Sequence, residues 1–133
     1  MASDEGRVAS EEAVRSYRDL LVWQKSLIWI EGVYRCSRRW PRDERFGLIG
    51  QTQRAAVSVA ANIAEGAARR STGEFLQFLG IARGSLAEVE TLLMLSERLG
   101  YSDHTTLTPL MTDADEISRM LASLIASLKR RQK

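Results

Sequence analysis

The chain has 133 residues, 44% hydrophobic and 27% charged, which fits one ordinary globular domain and leaves no room for a second. A single cysteine, Cys36, excludes an internal disulfide scaffold and a Cys-rich zinc module, and the only histidine, His104, is too distant in sequence to suggest a thiol–imidazole pair. The longest apolar runs, such as Leu27 to Ile30 and Leu92 to Leu95, stop far short of the roughly 20 residues a membrane span needs. The acidic start, with Asp4, Glu5, Glu11 and Glu12, is the opposite of a secretory or transit peptide, so a cytoplasmic location is expected.

The formal net charge of +2 is unevenly spread. Four acids and one Arg precede residue 15, whereas the rest of the chain is basic, and nearly all of its basic residues are Arg. Guanidinium groups favour forked contacts to carboxylate or phosphate over diffuse attraction. Residues 1–16 read as an acidic tail, a candidate for disorder, and residues 17–133 as the folded domain.

The first helical segment runs from about Tyr17 to Arg39. Leu20, Trp23, Leu27, Ile30 and Tyr34 alternate three and four apart, the period of a helix seam. Leu21, Val22, Ile28, Trp29 and Val33 are apolar as well, so the hydrophobic surface is wider than one seam requires. Part of it, represented by Leu21, Val22, Ile28 and Trp29, is expected to meet another chain. Trp40-Pro41 ends the segment, because the residue before proline is pushed out of the helical region. The second segment, roughly Asp43 to Arg70, is rich in alanine from Ala55 to Ala67, and such small side chains let helix backbones approach closely. Ser71-Thr72-Gly73-Glu74 then reads as a capping box that opens a new helix.

In the third segment Phe75, Phe78, Ala82, Ser85, Val89, Leu92, Ser96 and Leu99 hold the same alternation without a break. Gly80 and Gly84 interrupt it at about 1 kcal/mol each relative to Ala, a cost that a close helix contact would offset. Gly100 is placed as the C-terminal stop. After a loop from Tyr101 to Thr106, Leu107, Leu110, Ala114, Ile117, Leu121, Leu124 and Leu128 define a fourth helix, with Thr108-Pro109 as its expected start. Four helices with short links predict an all-α, antiparallel up-down-up-down four-helix bundle.

No Glu-x-x-His pair, Walker loop, G-x-S-x-G or H-E-x-x-H is present, so neither enzymatic activity nor a metal or cofactor is expected. Most arginines lie where a helix C-terminus favours positive charge by about 0.3 to 1 kcal/mol. Arg42 and Arg45 flank a helix start instead, and Arg54 and Arg83 lie in helix interiors, which leaves phosphate contact as a functional reading beside local pairing with Asp43 and Glu44. Ser58, Asn62 and Glu65 at helical spacing, facing Ser85 and Glu88, suggest a polar network that sets register, with an Arg69 to Glu65 bridge as the alternative for Glu65.

The stretch from Ser58 to Gly66, together with Phe75 to Leu79 and Ile81 to Glu88, resembles the bacterial four-helix bundle family that includes proteins encoded in intervening sequences of 23S ribosomal RNA genes. Leu20 to Lys25, Tyr34, Trp40-Pro41 with Glu44, Gly47-Leu48, Gln51 and Leu99-Gly100-Tyr101 extend the resemblance over almost everything after Arg15. Ala60 departs from it where many members carry Pro. Ser58, Asn62, Glu65, Gly66, Gly84, Ser85 and Glu88 are the residues of this sequence that carry the family's structural motif. The resemblance implies a ring-like homopentamer without established catalysis. It also implies, by way of the related accessory protein of diversity-generating retroelements, RNA or DNA and a protein such as a reverse transcriptase as partners. Two rival readings are a protein scaffold docking through the Trp23, Trp29 and Trp40 region, and an enzyme using Glu65, Glu88 and Glu90.

Overall fold

A computed structural model describes residues 16–132, so nearly all of the acidic tail expected at the N-terminus lies outside the described residues. A 3-10 turn, Tyr17–Asp19, leads into α1, Leu21–Ser37. A connector built of a 3-10 turn, Arg42–Glu44, and a π-type turn, Arg45–Ile49, leads into α2, Gly50–Ala67. The longer helices α3, Thr72–Arg98, and α4, His104–Gln132, complete the chain. Each helix packs on its sequence neighbours and α1 closes the square against α4, the arrangement of an antiparallel up-down-up-down bundle. Among the described residues there is no strand.

The periodicity of α4 translates directly into burial, whereas the buried face of α3 is turned toward Leu79, Leu86 and Leu93 and leaves the expected Phe78, Ser85 and Leu99 partly or largely exposed. Phe75, Leu79, Ala82, Leu86, Val89 and Leu93 line the inner face of α3, opposite Leu107, Ala114, Ile117, Leu121 and Leu128 of α4. Each such large side chain removed from water contributes about 1.5 to 3 kcal/mol. Ala55, Ala56, Val59, Ala60 and Ile63 complete the core from α2, whose closest approach is to α3.

Helix α1 is rotated away from the orientation its apolar spacing predicts. Its buried stripe is Val22, Ser26, Trp29, Val33 and Cys36, and the expected seam residues Trp23, Leu27, Ile30 and Tyr34 are only partly covered. Val22 and Trp29, expected at an interface between copies, are therefore core residues, Trp29 being 1% exposed, whereas Leu21 and Ile28 remain on the surface. Contacts to α4 set this rotation. Trp29 Nε1 donates to the Leu110 carbonyl at 3.1 Å, and Lys25 reaches Glu116 at 2.8 Å and Asp113 at 3.3 Å. A Cβ on Gly32 would lie 2.8 Å from Leu110 Cδ2. Buried Ser26 belongs to the inner stripe because its hydroxyl donates to the Val22 carbonyl at 2.7 Å, which satisfies it locally.

The helix ends follow cap chemistry, with two departures from the expected boundaries. Glu74 N donates to Ser71 Oγ at 3.1 Å, as a capping box requires, but the Glu74 carboxylate accepts from the Ser71 hydroxyl instead of from the backbone. Gly100 adopts φ +81°, and the amides of Gly100 and Tyr101 return to Glu97 and Ser96 in a Schellman closure. Helix α4 starts at His104, before the expected Thr108-Pro109, because Asp103 Oδ1 accepts from the Thr106 amide at 2.7 Å and outcompetes Thr108 as the cap. Helix α2 also starts later than Asp43, since the backbone at Gly47 leaves helical geometry and breaks the run. Gly80 and Gly84 meet nothing within 4 Å, so no neighbouring helix among the described residues compensates them; the close glycine contact between α2 and α3 is made by Gly66, where a Cβ would lie 2.8 Å from Phe78 Cβ.

Candidate functional site

The connector between α1 and α2 gathers positive charge at one end of the bundle. It is held by inward-facing polar contacts. Trp40 Nε1 donates to Ser102 Oγ at 2.7 Å, while Glu44 accepts from the Leu48 amide at 3.1 Å and from Tyr101 Oη at 2.9 Å. That hydrogen bond to Glu44 raises the Tyr101 pKa above its ordinary value, with burial and the negative charge of Glu44 acting in the same direction. Any side chain on Gly47 would crowd Glu44, its Cβ lying 2.8 Å from Oε1. With Glu44 turned inward, Arg42 and Arg45 point outward.

Arg54, one turn into α2, is exposed on the same end, as are Arg35, Arg38 and Arg39 from the end of α1. Among the described residues none of these six has a carboxylate within ion-pair distance. Arg39 lies close enough to Asp103 to help the Thr106 hydrogen bonds hold that carboxyl below its ordinary pKa. Arg83 does not join the cluster. It is exposed midway along α3, two positions from Ser85, which faces α2, so it projects from the opposite flank.

Sequence reasoning passed over Phe46, which is 88% exposed beside these arginines, the Arg45 guanidinium lying 5.2 Å from its ring centroid. Its one sequence signal is negative: it belongs to no helical stripe. A second feature also escaped notice, an open groove of about 500 Å³ between α1 and α2. Trp23, Leu27 and Ile30 form one wall and Val57, Ala61 and Ala64 the other, with Tyr17 and Ala68 at the far end. The side chains read as an intramolecular seam thus line a cleft, which stays open because the facing α2 side chains are mostly alanine.

The polar motif divides into a cluster and two separate pairs. Ser58 Oγ and Ser85 Oγ share a hydrogen bond at 2.8 Å across the α2/α3 contact, and Asn62 Nδ2 donates to Ser58 Oγ and O at 2.9 and 2.8 Å. Glu65 lies outside this cluster, bridged to Arg69 at 2.7 Å, and Glu88 accepts from Gln51 at 3.3 Å. Glu90 stands on the α4 side, where burial, and then the charge of Asp115, raise its pKa. The three carboxylates do not converge, and only Glu65 touches the groove. Among the described residues no group of three or more His, Cys, Asp or Glu is placed to hold a metal ion, and no helix is long and apolar enough to cross a membrane.

A family model described as 23S rRNA-intervening sequence protein matches residues 18–123, which takes in the first three helices and most of α4. The chain belongs to that family. A crystal structure of a protein of unknown function from the S23 ribosomal protein family of Bacteroides thetaiotaomicron is similar, with 27% sequence identity and a TM-score of 0.74. The match covers 80% of this chain and 96% of that one. No curated protein matches. Membership in the family accords with the all-helical four-helix bundle.

Proposed function

We propose that this member of the 23S rRNA-intervening sequence protein family is a non-catalytic, homo-oligomeric binding protein of the cytoplasm, whose basic connector end contacts nucleic-acid phosphates. The observation that supports this reading is the set of six exposed arginines, Arg35, Arg38, Arg39, Arg42, Arg45 and Arg54, without ion-pair partners among the described residues. The nearby acids are already occupied or outnumbered: Glu44 is bound inward and Asp103 caps α4. Repetition of this end around a ring, five-membered as the family resemblance implies, multiplies a modest patch into a field strong enough to hold a polyanion. Guanidinium forks suit phosphate oxygens, and each neutralised phosphate releases counterions, so binding falls steeply with salt.

Titration of structured RNA and of duplex DNA at several salt concentrations tests the proposal. Binding is expected at about 50 mM salt, with log affinity falling linearly against log salt, and the combined Arg38→Ala, Arg42→Ala and Arg54→Ala change is expected to flatten that slope by about three charges. Absence of binding at low salt, or a slope unmoved by the triple change, refutes it.

A further inference from the structure

We propose that Phe46 of one chain seats in the α1/α2 groove of a second copy, forming a head-to-tail joint. The inference rests on the homo-oligomer reading above and names the surfaces that make it.

Phe46 is the most exposed large apolar side chain among the described residues, on a connector whose backbone is fixed by Glu44 on both sides. A ring held out at this degree of exposure leaves its apolar area in water, and none of the described residues of its own chain covers it. The groove is the complementary feature: concave, apolar, lined by alanines on the α2 wall, and ample for one aromatic ring. Its nearest α2 wall residue, Val57, is seven residues beyond Gly50, about 10 Å along the helix, and the groove runs away from the connector toward Tyr17 and Ala68. A chain therefore cannot fill its own groove with its own Phe46.

Charge selects a second copy as the occupant. Arg45 lies over the Phe46 ring and Arg42 is beside it, so the projecting end is basic. Beside the groove stands one unpaired acid: Glu31, one turn beyond Leu27, is exposed on the same side of α1 and has no ion-pair partner within the described residues, whereas Glu65, which lines the groove, is already bridged to Arg69. An incoming Arg45 would meet Glu31 as Phe46 enters. The arginines of α1, with Arg42 and Arg54, remain at the connector end for phosphate. Because projection and groove are different surfaces of one chain, the joint is heterologous, and repeated joints run on into a ring or an open filament instead of stopping at a dimer.

Solution mass by light scattering and sedimentation, on the full chain, tests this with Phe46→Ser, Phe46→Tyr and Ala61→Arg. Both altered positions are exposed, so folding is expected to survive and is checked by circular dichroism. Wild type and Phe46→Tyr are expected to assemble beyond a dimer. Phe46→Ser and Ala61→Arg are each expected to weaken every joint at least tenfold and run as monomers. Mixed together, they are expected to form a one-to-one pair, since Ala61→Arg chains keep the projection and Phe46→Ser chains keep the groove. A monomeric wild type overturns the joint together with the oligomer reading. An assembled wild type whose Phe46→Ser or Ala61→Arg variant assembles equally well overturns the joint alone. Retained assembly with lost RNA binding in Phe46→Ser also overturns it, and assigns Phe46 to the nucleic-acid surface.

Discussion

Three chemically identical changes, Gly66→Ala, Gly80→Ala and Gly84→Ala, are expected to differ in sign. In a helix interior, replacing Gly by Ala gains about 1 kcal/mol, because alanine loses less backbone freedom on folding. At Gly80 and Gly84 the new methyl meets nothing within 4 Å, so each change keeps that gain. At Gly66 it would lie 2.8 Å from Phe78 Cβ, 3.0 Å from Phe75 Cδ1 and 3.3 Å from the Phe75 carbonyl oxygen. Phe78 Cβ cannot swing aside, since it is bonded to the α3 backbone, so α2 and α3 must part locally. Overpacking of this kind costs about 1 to 3 kcal/mol, and the propensity gain is reduced at Gly66 because it stands in the last turn of α2. The net expectation is a loss of about 1 to 2 kcal/mol for Gly66→Ala against a gain of about 1 for each of the others. For a domain of this size that corresponds to a fall of roughly 4 to 8 °C and a rise of roughly 4 °C. Urea unfolding followed by circular dichroism at one fixed protein concentration measures all three, with solution mass checked alongside because assembly adds concentration-dependent stability. Equal stabilisation by the three changes would refute the close α2/α3 contact at Gly66.

Further outcomes follow from single polar groups. Thr52 Oγ1 is buried without a hydrogen-bond partner, so Thr52→Val, which keeps the shape and removes the orphaned hydroxyl, is expected to stabilise by about 1 kcal/mol in the same urea assay. Asp103→Ala is expected to lower the melting temperature at pH 7, whereas Thr108→Ala leaves it nearly unchanged, because Asp103 is the cap of α4. The Thr106 hydrogen bonds depress the Asp103 pKa below 3.8, so its contribution is present above that value and is lost as pH falls through the lower folded one; the Asp103→Ala deficit should shrink in melts at pH 2 to 3. Glu90 has the opposite sign. Its folded pKa is raised above 4.5 by burial, so its ionisation erodes stability as pH rises, and Glu90→Gln is expected to raise the melting temperature at pH 7 and to change nothing well below pH 4.

The legibility of the helices varied with how completely each is enclosed. The stripe that spacing selects in α4 is buried throughout, whereas in α3 Phe75, Ala82, Val89, Leu92 and Ser96 are buried but Phe78, Ser85 and Leu99 are not, and Leu79, Leu86 and Leu93, off the selected stripe, fill the core instead. Helix α1 is apolar on two stripes, and spacing alone favours Trp23, Leu27 and Ile30 over the stripe that is buried, which contains Ser26. A serine is as good as an apolar residue there once its hydroxyl returns to Val22, and that compensation has no sequence signature beyond the residue itself. The same ambiguity governs the site. Arg42, Arg45 and Arg54 are brought together by the connector, while Arg83 shares their composition but not their place. Phe46, belonging to no stripe, carries no periodic signal, and its importance emerges only from its exposure.

From the amino-acid order alone come the all-α class, four helices, the Ser71 cap and the Gly100 stop, because these depend on local hydrogen bonding and on the fixed 3.6-residue period. The rotation of α1, the α2 break at Gly47, the outward face of Gly80 and Gly84 and the open groove were decided by tertiary packing. Each depends on which of several locally acceptable surfaces finds a partner of matching shape. Trp29 bonding to Leu110, Lys25 bonding to Glu116, and Gly32 admitting Leu110 choose one rotation of α1 among those its apolar residues permit, and leave the other stripe as the wall of a cleft.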